Sequence, residues 1–260
     1  MLAMRAPNCI LFCLLPLLGV IGCSSVTKHG VKQPVVQETQ LRLGQHAAFF
    51  PGETYDRVNE RYLVFLPGDY FRKKKWPVIL FLHGQKQCGH DLNEVRKHGL
   101  PKVVGARKDF PFIVISPQCL EDGFWSGDEE IQFLDALLAE VLACYRTDPE
   151  RVYVTGLSMG GYGTWRLATE YPHRFAAIAP ICGGGQPRKA GRIKDLPIWV
   201  FHREKDENVP LDASAKMVRA LRRHGSDVRF TIYPGQGHDA WTPTYKDPKL
   251  YQWFLGHKRR

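Results

Sequence analysis

The sequence predicts an α/β fold in which helices cover both faces of a doubly wound, mostly parallel sheet. Short apolar runs rich in valine, isoleucine and phenylalanine alternate with longer amphipathic segments, which is the order of a chain of βαβ units. Several of those runs are apolar at nearly every position, as in strands buried on both faces. Because neither an internal repeat nor an interior linker divides the sequence, we expect one domain.

The predicted strands are β-branched or aromatic runs that end near proline or glycine. They cover residues 61–67, 77–84, 111–117, 151–156, 176–183, 197–202 and 228–234. Two helices have clear end signals. Residues 128–145 begin with acidic side chains, which favour the positive end of the helix dipole. Residues 211–225 end in basic residues followed by a glycine.

The N-terminal region is predicted to be a secretory signal. A short basic segment precedes an apolar segment, residues 9–22, which Pro16 interrupts and which is too short for a stable membrane span. Its end, "VIGC", resembles a bacterial lipobox, whose cysteine is acylated after cleavage; an ordinary signal peptide cut nearby is the alternative. We therefore expect residues 1–22 to be a lipoprotein signal peptide, residues 23–45 to be the lipidated Cys23 and a flexible tether, and residues 46–260 to be the folded domain.

A lipidated cysteine implies attachment to the cell envelope, on the periplasmic or surface face. The outer membrane is favoured, because the aspartate that usually marks inner-membrane retention does not follow Cys23. The formal net charge is +10, which fits either anionic headgroups and acidic polymers or, as we prefer, solvated loops and helix faces. No pattern of a nucleic-acid-binding module is present, so we expect no nucleic-acid partner.

The cysteines outside the predicted signal and lipobox give no metal-binding pattern. Their spacing contains neither C-x-x-C nor a zinc-type Cys/His arrangement, so we expect no metal site. A disulfide is permitted in an oxidising compartment, and the spacing leaves the pairing open among four residues. These are Cys88, Cys119, Cys144 and Cys182.

The segment "VTGLSMGGYGTW", residues 154–165, combines a buried strand, a tight turn and the start of a helix. Its centre has the form Gly156-x-Ser158-x-Gly160, the pattern of a nucleophile elbow. The glycines leave room for a turn too tight for a Cβ atom. The turn would expose the Ser158 hydroxyl beside free N–H groups of a helix N-terminus, which stabilise developing negative charge. We predict that Ser158 is a nucleophile.

A nucleophilic serine needs a general base, and the base needs an orienting carboxylate. Downstream of Ser158, Asp206 follows one predicted strand and His238 follows the next. This is the order found with the nucleophile elbow, and loops after parallel strands meet at one edge of the sheet. We predict that Asp206 is the acid and His238 the base. The weaker candidates are Glu204, Glu207, His202, His224 and Asp239.

The oxyanion formed during such a reaction needs two hydrogen-bond donors. The backbone N–H groups of Met159 and Gln85 are the candidates, and His83 is expected to brace the loop that carries Gln85. Phe124, Trp125 and Trp241 could line a substrate cleft, although they could equally pack loops. We predict that Trp125 and Trp241 bind substrate.

Several motifs together resemble one protein family. "LHG", "SPQC", "GLSMGGYGTW", "YPHRFAAIAPICGG" and "GHDAW" look like bacterial serine esterases of the α/β-hydrolase fold. The branch is related to polyhydroxyalkanoate depolymerases and to feruloyl and acetylxylan esterases. It is also grouped with phospholipase/carboxylesterases and prolyl-oligopeptidase-like proteins. The resemblance extends over residues 62–255. Because the chain is short, we expect a single domain without a large lid.

The resemblance also implies a function. Ser158, Asp206 and His238 would form the triad, with Gln85 and Met159 as the oxyanion donors. The expected activity is carboxylic-ester hydrolysis through an acyl-enzyme, on short acyl or aryl esters of polysaccharides. A peptidase, a phospholipase or lipase, and a silent binding protein are the competing hypotheses. No metal or organic cofactor is expected, and the protein is expected to be a monomer whose partners are its ester substrate and the membrane.

Two positions depart from the pattern. After the His-Gly of the oxyanion loop, relatives tend to carry a small residue where this chain has Gln85, which keeps the backbone donor but could change the size of the acyl pocket. Relatives commonly have His-Gly before the acid loop, where this chain has His202 followed by Arg203. We expect Arg203 to narrow the site or to form an ion pair with Glu204 or Asp206.

Overall fold

The computed structural model describes residues 24–28, 31–35 and 41–259. The predicted signal peptide and Cys23 lie outside the described residues. Strands β1 (Ser24–Lys28) and β2 (Val31–Val35) pair as an antiparallel hairpin, where the sequence predicted a tether without regular structure. Both strands contain β-branched residues, which favour extended backbone. No helix among the described residues is both long and apolar enough to cross a membrane.

Eight strands form the main sheet, in the order β10-β9-β8-β7-β5-β6-β4-β3. They are β3 (Gly44–Phe49), β4 (Val58–Leu66), β5 (Trp76–Leu82), β6 (Ile113–Cys119), β7 (Thr147–Leu157), β8 (Ala177–Ile181), β9 (Trp199–Lys205) and β10 (Arg229–Gln236). β4 is antiparallel to both of its neighbours, and the strands from β5 to β10 run parallel. The predicted doubly wound, mostly parallel sheet in a single domain is confirmed.

The helices lie on both faces of this sheet. They are α1 (Leu92–Val95), α2 (Gly99–Gly105), α3 (Asp128–Cys144), α4 (Met159–Glu170), α5 (Leu211–Arg223), α6 (Trp241–Lys246) and α7 (Pro248–Leu255). The two helices predicted from their end signals correspond to α3 and α5. The first turn of α3 carries three acidic residues, and the last turn of α5 carries two arginines, so both complement the helix dipole.

The core forms two apolar layers, one on each face of the sheet. β5 is buried at all seven positions. Val78 and Leu80 face the layer that contains residues of α3, α4 and α5. Ile79 and Phe81 face the opposite layer, with residues of α2 and α7. Since burying such a side chain stabilises the fold by about 2 kcal/mol, the central strands are the most firmly held part of the molecule.

Two cysteines, Cys88 and Cys119, lie where the ends of β5 and β6 come together. The N–H of Gly89, next to Cys88, donates to the Cys119 carbonyl at 2.9 Å. Both thiols are nevertheless free, as is Cys182. Burial raises the pKa of Cys88 to about 11 and raises that of Cys119 further, so both are protonated thiols at neutral pH.

The parallel strands place the loops that follow them at one edge of the sheet. The loop after β5 carries His83 and Gln85, the turn after β7 carries Ser158, and the loops after β9 and β10 carry Asp206 and His238. Cys182 directly follows β8 at the same edge. The candidate site residues therefore lie together because the strands before them run in the same direction.

Candidate active site

Ser158 lies between the last residue of β7 and the first residue of α4, with φ 54° and ψ −116°. Positive φ is strained for a residue with a Cβ atom and is often found at functional sites. A Cβ on Gly156 would lie 2.4 Å from the carbonyl oxygen of Gly160. A Cβ on Gly160 would lie 2.0 Å from the carbonyl oxygen of Leu82. Both glycines are therefore required by the turn that exposes the hydroxyl.

The three predicted triad residues are brought together in one hydrogen-bonded chain. His238 Nε2 lies 2.8 Å from Ser158 Oγ, and His238 Nδ1 lies 2.6 Å from Asp206 Oδ2. The Asp206 carboxylate accepts the Nδ1 proton, which leaves Nε2 to accept the Ser158 proton. The Asp206 side chain is fully buried and that of His238 is 14% exposed, so the acid is sheltered while the base reaches the surface.

Asp206 is held as a carboxylate by its hydrogen bonds. Its Oδ1 accepts from the backbone N–H groups of Asn208 and Val209, each at 3.0 Å. Burial raises the pKa of Asp206, but the hydrogen bonds from Val209, His238 and Asn208 outweigh it and leave the pKa below its ordinary value. Asp206 is therefore charged at neutral pH and can stabilise a protonated His238.

His202 supports the acid from behind. It is fully buried, and its Nε2 lies 2.9 Å from the Val209 carbonyl and 3.4 Å from Asp206 Oδ2. A carbonyl only accepts, so Nε2 carries the proton. Its Nδ1 lies 2.8 Å from Ser214 Oγ. Burial lowers the pKa of His202, so the ring is neutral at neutral pH and has a structural role.

Four weaker candidates for the acid or the base lie away from the chain of hydrogen bonds. Glu207 is exposed, and His224 is exposed at the end of α5. Glu204 Oε2 accepts from the Gly235 N–H at 3.4 Å. Asp239 Oδ1 accepts from the Thr242 N–H at 2.8 Å. None of these four contacts Ser158 or His238 through its side chain among the described residues.

The loop after β5 is braced by His83, as predicted. His83 is buried; its Nε2 accepts from the Cys119 N–H at 3.0 Å, and its Nδ1–H donates to the Gly84 carbonyl at 2.7 Å. The two contacts fix the ring in one tautomer. The indole N–H of Trp125 donates to the His83 carbonyl at 3.2 Å, which ties the loop to the segment before α3.

The two predicted oxyanion donors are free to bind a ligand. Within the part of the chain that the structure describes, neither the N–H of Gln85 nor that of Met159 donates to a protein acceptor. The residues next to them lie in contact, because a Cβ on Gly84 would lie 2.7 Å from a methyl of Leu157, and one on Gly160 would lie 2.8 Å from the His83 carbonyl oxygen. Two unpartnered N–H groups beside Ser158 can stabilise an oxyanion.

The buried His83 makes the fold sensitive to acid. Burial lowers the pKa of His83 to about 4, below the 6.5 of an exposed histidine. The neutral ring therefore stabilises the fold fully above pH 6.5, and this stability is lost as the pH falls from 6.5 to 4. We expect the free energy of unfolding in urea to drop by about 2 kcal/mol between pH 7.5 and pH 5 from this residue. A His83→Gln variant should show a flatter pH dependence, and an unchanged slope would contradict this role.

Of the aromatic residues predicted to line a substrate cleft, Trp241 borders a cavity and Trp125 does not. The Trp241 ring packs edge-on against His238, with centroids 5.2 Å apart, and lies 6.5 Å from His98. It borders a cavity of about 250 Å³ whose walls also include Gly99, Lys102 and Val103. The prediction that Trp125 lines a substrate cleft is wrong, because its side chain is fully buried beneath the His83 loop. Phe124, by contrast, is 38% exposed and faces Tyr162.

Cys182, to which the sequence pattern gave no role in the site, lies beside the acid. It is buried with φ 48°, and its Sγ–H donates to the His238 carbonyl at 3.3 Å. Burial and the nearby Asp206 raise its pKa to about 12. Ligand atoms of Cys182, His202 and Asp206 lie within 4.8 Å of one another. All three groups are buried, and His202 and Asp206 also hydrogen-bond to protein groups.

The expected ion pair of Arg203 is not formed. Among the described residues no carboxylate lies within ion-pair distance of its guanidinium, which instead donates to the backbone carbonyls of Pro234 and Asp239. The ion-pair alternative was wrong because backbone carbonyls occupy the arginine donors. The alternative that Arg203 narrows the site stays a prediction.

Comparison with known proteins identifies the family. The model of the dienelactone hydrolase family matches residues 55–247. The chain belongs to this family. It is therefore a hydrolase of an esterase family, with the α/β-hydrolase fold, and the resemblance predicted from its motifs is confirmed.

Three known proteins show how similar the chain is to others in sequence and structure. The poly(3-hydroxyoctanoate) depolymerase of Pseudomonas fluorescens is 30% identical over 212 residues, covering 70% of this chain and 74% of that protein. A probable feruloyl esterase C of Aspergillus niger is 24% identical over 193 residues, covering 72% and 71%. The crystal structure of a thermostable esterase has a TM-score of 0.72 at 34% identity, covering 83% of this chain and 64% of that structure.

Proposed function

We propose that this protein is a serine carboxylic-ester hydrolase that works through an acyl-enzyme. The observation that carries the proposal is the continuous chain from Ser158 Oγ through His238 to the buried Asp206. A serine in strained backbone, with an imidazole in contact and a carboxylate behind it, has the parts that nucleophilic acyl transfer requires.

The geometry supports the following steps. His238 Nε2 takes the Ser158 proton as Oγ attacks the ester carbonyl. The N–H groups of Gln85 and Met159 bind the oxyanion that forms. The protonated His238, stabilised by Asp206, gives its proton to the departing alcohol and leaves Ser158 acylated. Water then attacks the acyl-enzyme with His238 as base, which releases the acid and restores Ser158.

The proposed substrates are short acyl or aryl esters attached to polysaccharides. The cavity beside Trp241, about 250 Å³, is of a size for a compact acyl or aryl group, and the exposed face of Phe124 can contact a sugar or aryl ring. A feruloyl esterase among the relatives adds support. Peptidase and lipase activities use the same triad and are outcomes of the test.

We further infer that Cys23 is lipidated and anchors the protein to the cell envelope. The apolar segment at residues 9–22 and the "VIGC" motif support this inference. One acyl chain alone binds membranes only marginally, so a multiply acylated Cys23 is proposed. The intact mass of the mature membrane-extracted protein tests it, because an unmodified Cys23 would be inconsistent with the anchor.

A substrate panel tests the proposed function. The protein is assayed with p-nitrophenyl acetate, butyrate and octanoate, with methyl ferulate, with acetylated xylan and with a peptide p-nitroanilide. We expect kcat/KM to be highest for acetyl or feruloyl esters. A preference for octanoate would favour a lipase, and faster cleavage of the p-nitroanilide would favour a peptidase. Binding of xylan without turnover of any ester would contradict the hydrolase.

A further inference from the structure

The catalytic base lies on a segment with little apolar packing of its own. Residues 234–240, here called the His238 loop, connect the irregular end of β10 to α6. None of residues 234–239 is buried. Gly235 and Gly237 have φ of 92° and 95°, conformations that glycine adopts freely and that do not fix a chain by themselves. The position of His238 must therefore be set by groups outside the loop.

Arg203, on the neighbouring strand β9, contacts the loop on both sides of His238. Its Nη1 donates to the Pro234 carbonyl at 2.9 Å. Its Nη2 and Nε donate to the Asp239 carbonyl at 3.0 and 3.3 Å. A guanidinium is a rigid planar fork, so these three hydrogen bonds fix the distance between the two carbonyls and hence the span that holds His238.

Each of the other groups that bind the backbone of the loop makes one hydrogen bond to one of its residues. The Gly235 N–H donates to Glu204 Oε2 at 3.4 Å, and the Gly237 N–H donates to the Lys205 carbonyl at 3.1 Å. The Cys182 thiol donates to the carbonyl of His238 itself. Among the described residues, Arg203 is the one side chain that joins both ends of the loop by hydrogen bonds.

We propose that Arg203 is a positioning residue that sets His238 Nε2 against Ser158 Oγ by bracing the carbonyls of Pro234 and Asp239. The proposal rests on the proposed function, because it assigns Arg203 a part in activating Ser158. Arg203 does not touch the reacting atoms. Without it, the two glycines let the loop shift, and a displacement of about 1 Å between reacting groups can lower a rate about 100-fold.

Three variants of the full chain test the proposal: Arg203→Ala, Arg203→Lys and, as a control, Lys205→Ala. Lys205 is an exposed cation on the same strand, and its side chain makes no hydrogen bond or ion pair with the described residues. We expect Arg203→Ala to lower kcat about 10- to 100-fold with KM nearly unchanged. Arg203→Lys should recover little of this, because a single ammonium cannot replace the planar fork, and Lys205→Ala should behave as the wild type.

Chemical rescue separates positioning from a general loss of structure. Adding guanidinium at tens of millimolar, far below denaturing concentrations, should restore part of the kcat of Arg203→Ala and should leave Lys205→Ala unaffected. A lowered melting temperature without rescue would overturn the proposal, since it would assign Arg203 a structural role alone. Wild-type kcat in Arg203→Ala would overturn it as well.

The rate at which a fluorophosphonate labels the protein distinguishes failure of the proposed function from failure of the proposed role of Arg203. In that reaction Ser158 Oγ forms a bond to phosphorus, fluoride departs and His238 accepts the serine proton, so no ester substrate is needed. An unlabelled wild-type protein would contradict the proposed function. A labelled wild type together with equally fast labelling of Arg203→Ala would contradict only the role of Arg203. We expect slow labelling of Arg203→Ala that guanidinium accelerates.

Discussion

Replacing Ser158 with alanine is expected to lower kcat/KM for p-nitrophenyl acetate about 10⁶-fold, the loss seen when a serine hydrolase of another fold loses its nucleophile. The substitution removes one oxygen atom whose contact among the described residues is His238 Nε2. The backbone hydrogen bond from Ser158 N–H to the Ile181 carbonyl is retained. The fold should therefore persist, with a melting temperature close to that of the wild type.

Ser126→Ala is the matched control for this measurement. Ser126 is half-buried, and its hydroxyl makes no hydrogen bond within the described part of the chain, so the same chemical change should leave kcat/KM within about twofold, as is usual for substitutions that break no specific contact. Substantial ester turnover by Ser158→Ala, above the level of contaminating esterases, would place the nucleophile elsewhere.

Asp206→Asn is expected to lower kcat about 10⁴-fold, as the corresponding change does in a serine protease. The carboxamide has the same shape but one oxygen. That oxygen must remain on the side of the Asn208 and Val209 N–H groups, so the amide nitrogen faces His238 Nδ1. Two donors cannot face each other, and His238 would adopt the tautomer with its proton on Nε2. In that tautomer it cannot accept the Ser158 proton.

Glu207→Gln tests the specificity of this loss. Glu207 is the neighbouring carboxyl residue in the acid loop and is exposed, so its neutralisation should change kcat less than twofold, as expected for an exposed side chain outside the site. Circular dichroism of both variants should match the wild type. If Asp206→Asn kept most of its activity, another group would have to orient His238, and Asp206 would not be the acid.

The sequence was sufficient to predict that Ser158, Asp206 and His238 lie together, because each follows a parallel strand. Strand direction brings the loops to one edge, and the glycines at 156 and 160 could be interpreted from their spacing alone. Strand β3 was missed, since residues 44–49 read as a short mixed segment outside the predicted strands. Its pairing with β4 depends on tertiary contacts rather than on local pattern.

The wrong prediction for Trp125 has an identifiable cause. An aromatic residue on a loop beside a site has the same sequence pattern as one beneath it. Here a Cβ on Gly163 of α4 would lie 2.4 Å from the Cβ of Trp125, so the helix leaves room for the indole under the His83 loop. The repeated glycines of α4 indicate close packing on one helix face, but the sequence does not show which side chain packs there.

The partners of Arg203 could not be predicted for a different reason. A charged side chain suggests an opposite charge, and Glu204 and Asp206 are near in sequence. The carbonyls of Pro234 and Asp239 belong to the His238 loop, and their positions depend on two positive-φ glycines. The sequence shows that Arg203 is a cation, but it does not show which backbone carbonyls point towards it.

The proposed triad joins a buried part of the molecule to an exposed one. Ser158 follows β7 in the middle of the sheet, whereas His238 lies on an exposed, glycine-containing segment beside the edge strand β10. Segments with few buried contacts open locally before the whole domain unfolds. Catalytic competence should therefore fade on warming while the nucleophile still sits in a folded domain, and cooling should restore it. The working temperature of this enzyme is then set by its outermost strand rather than by its core.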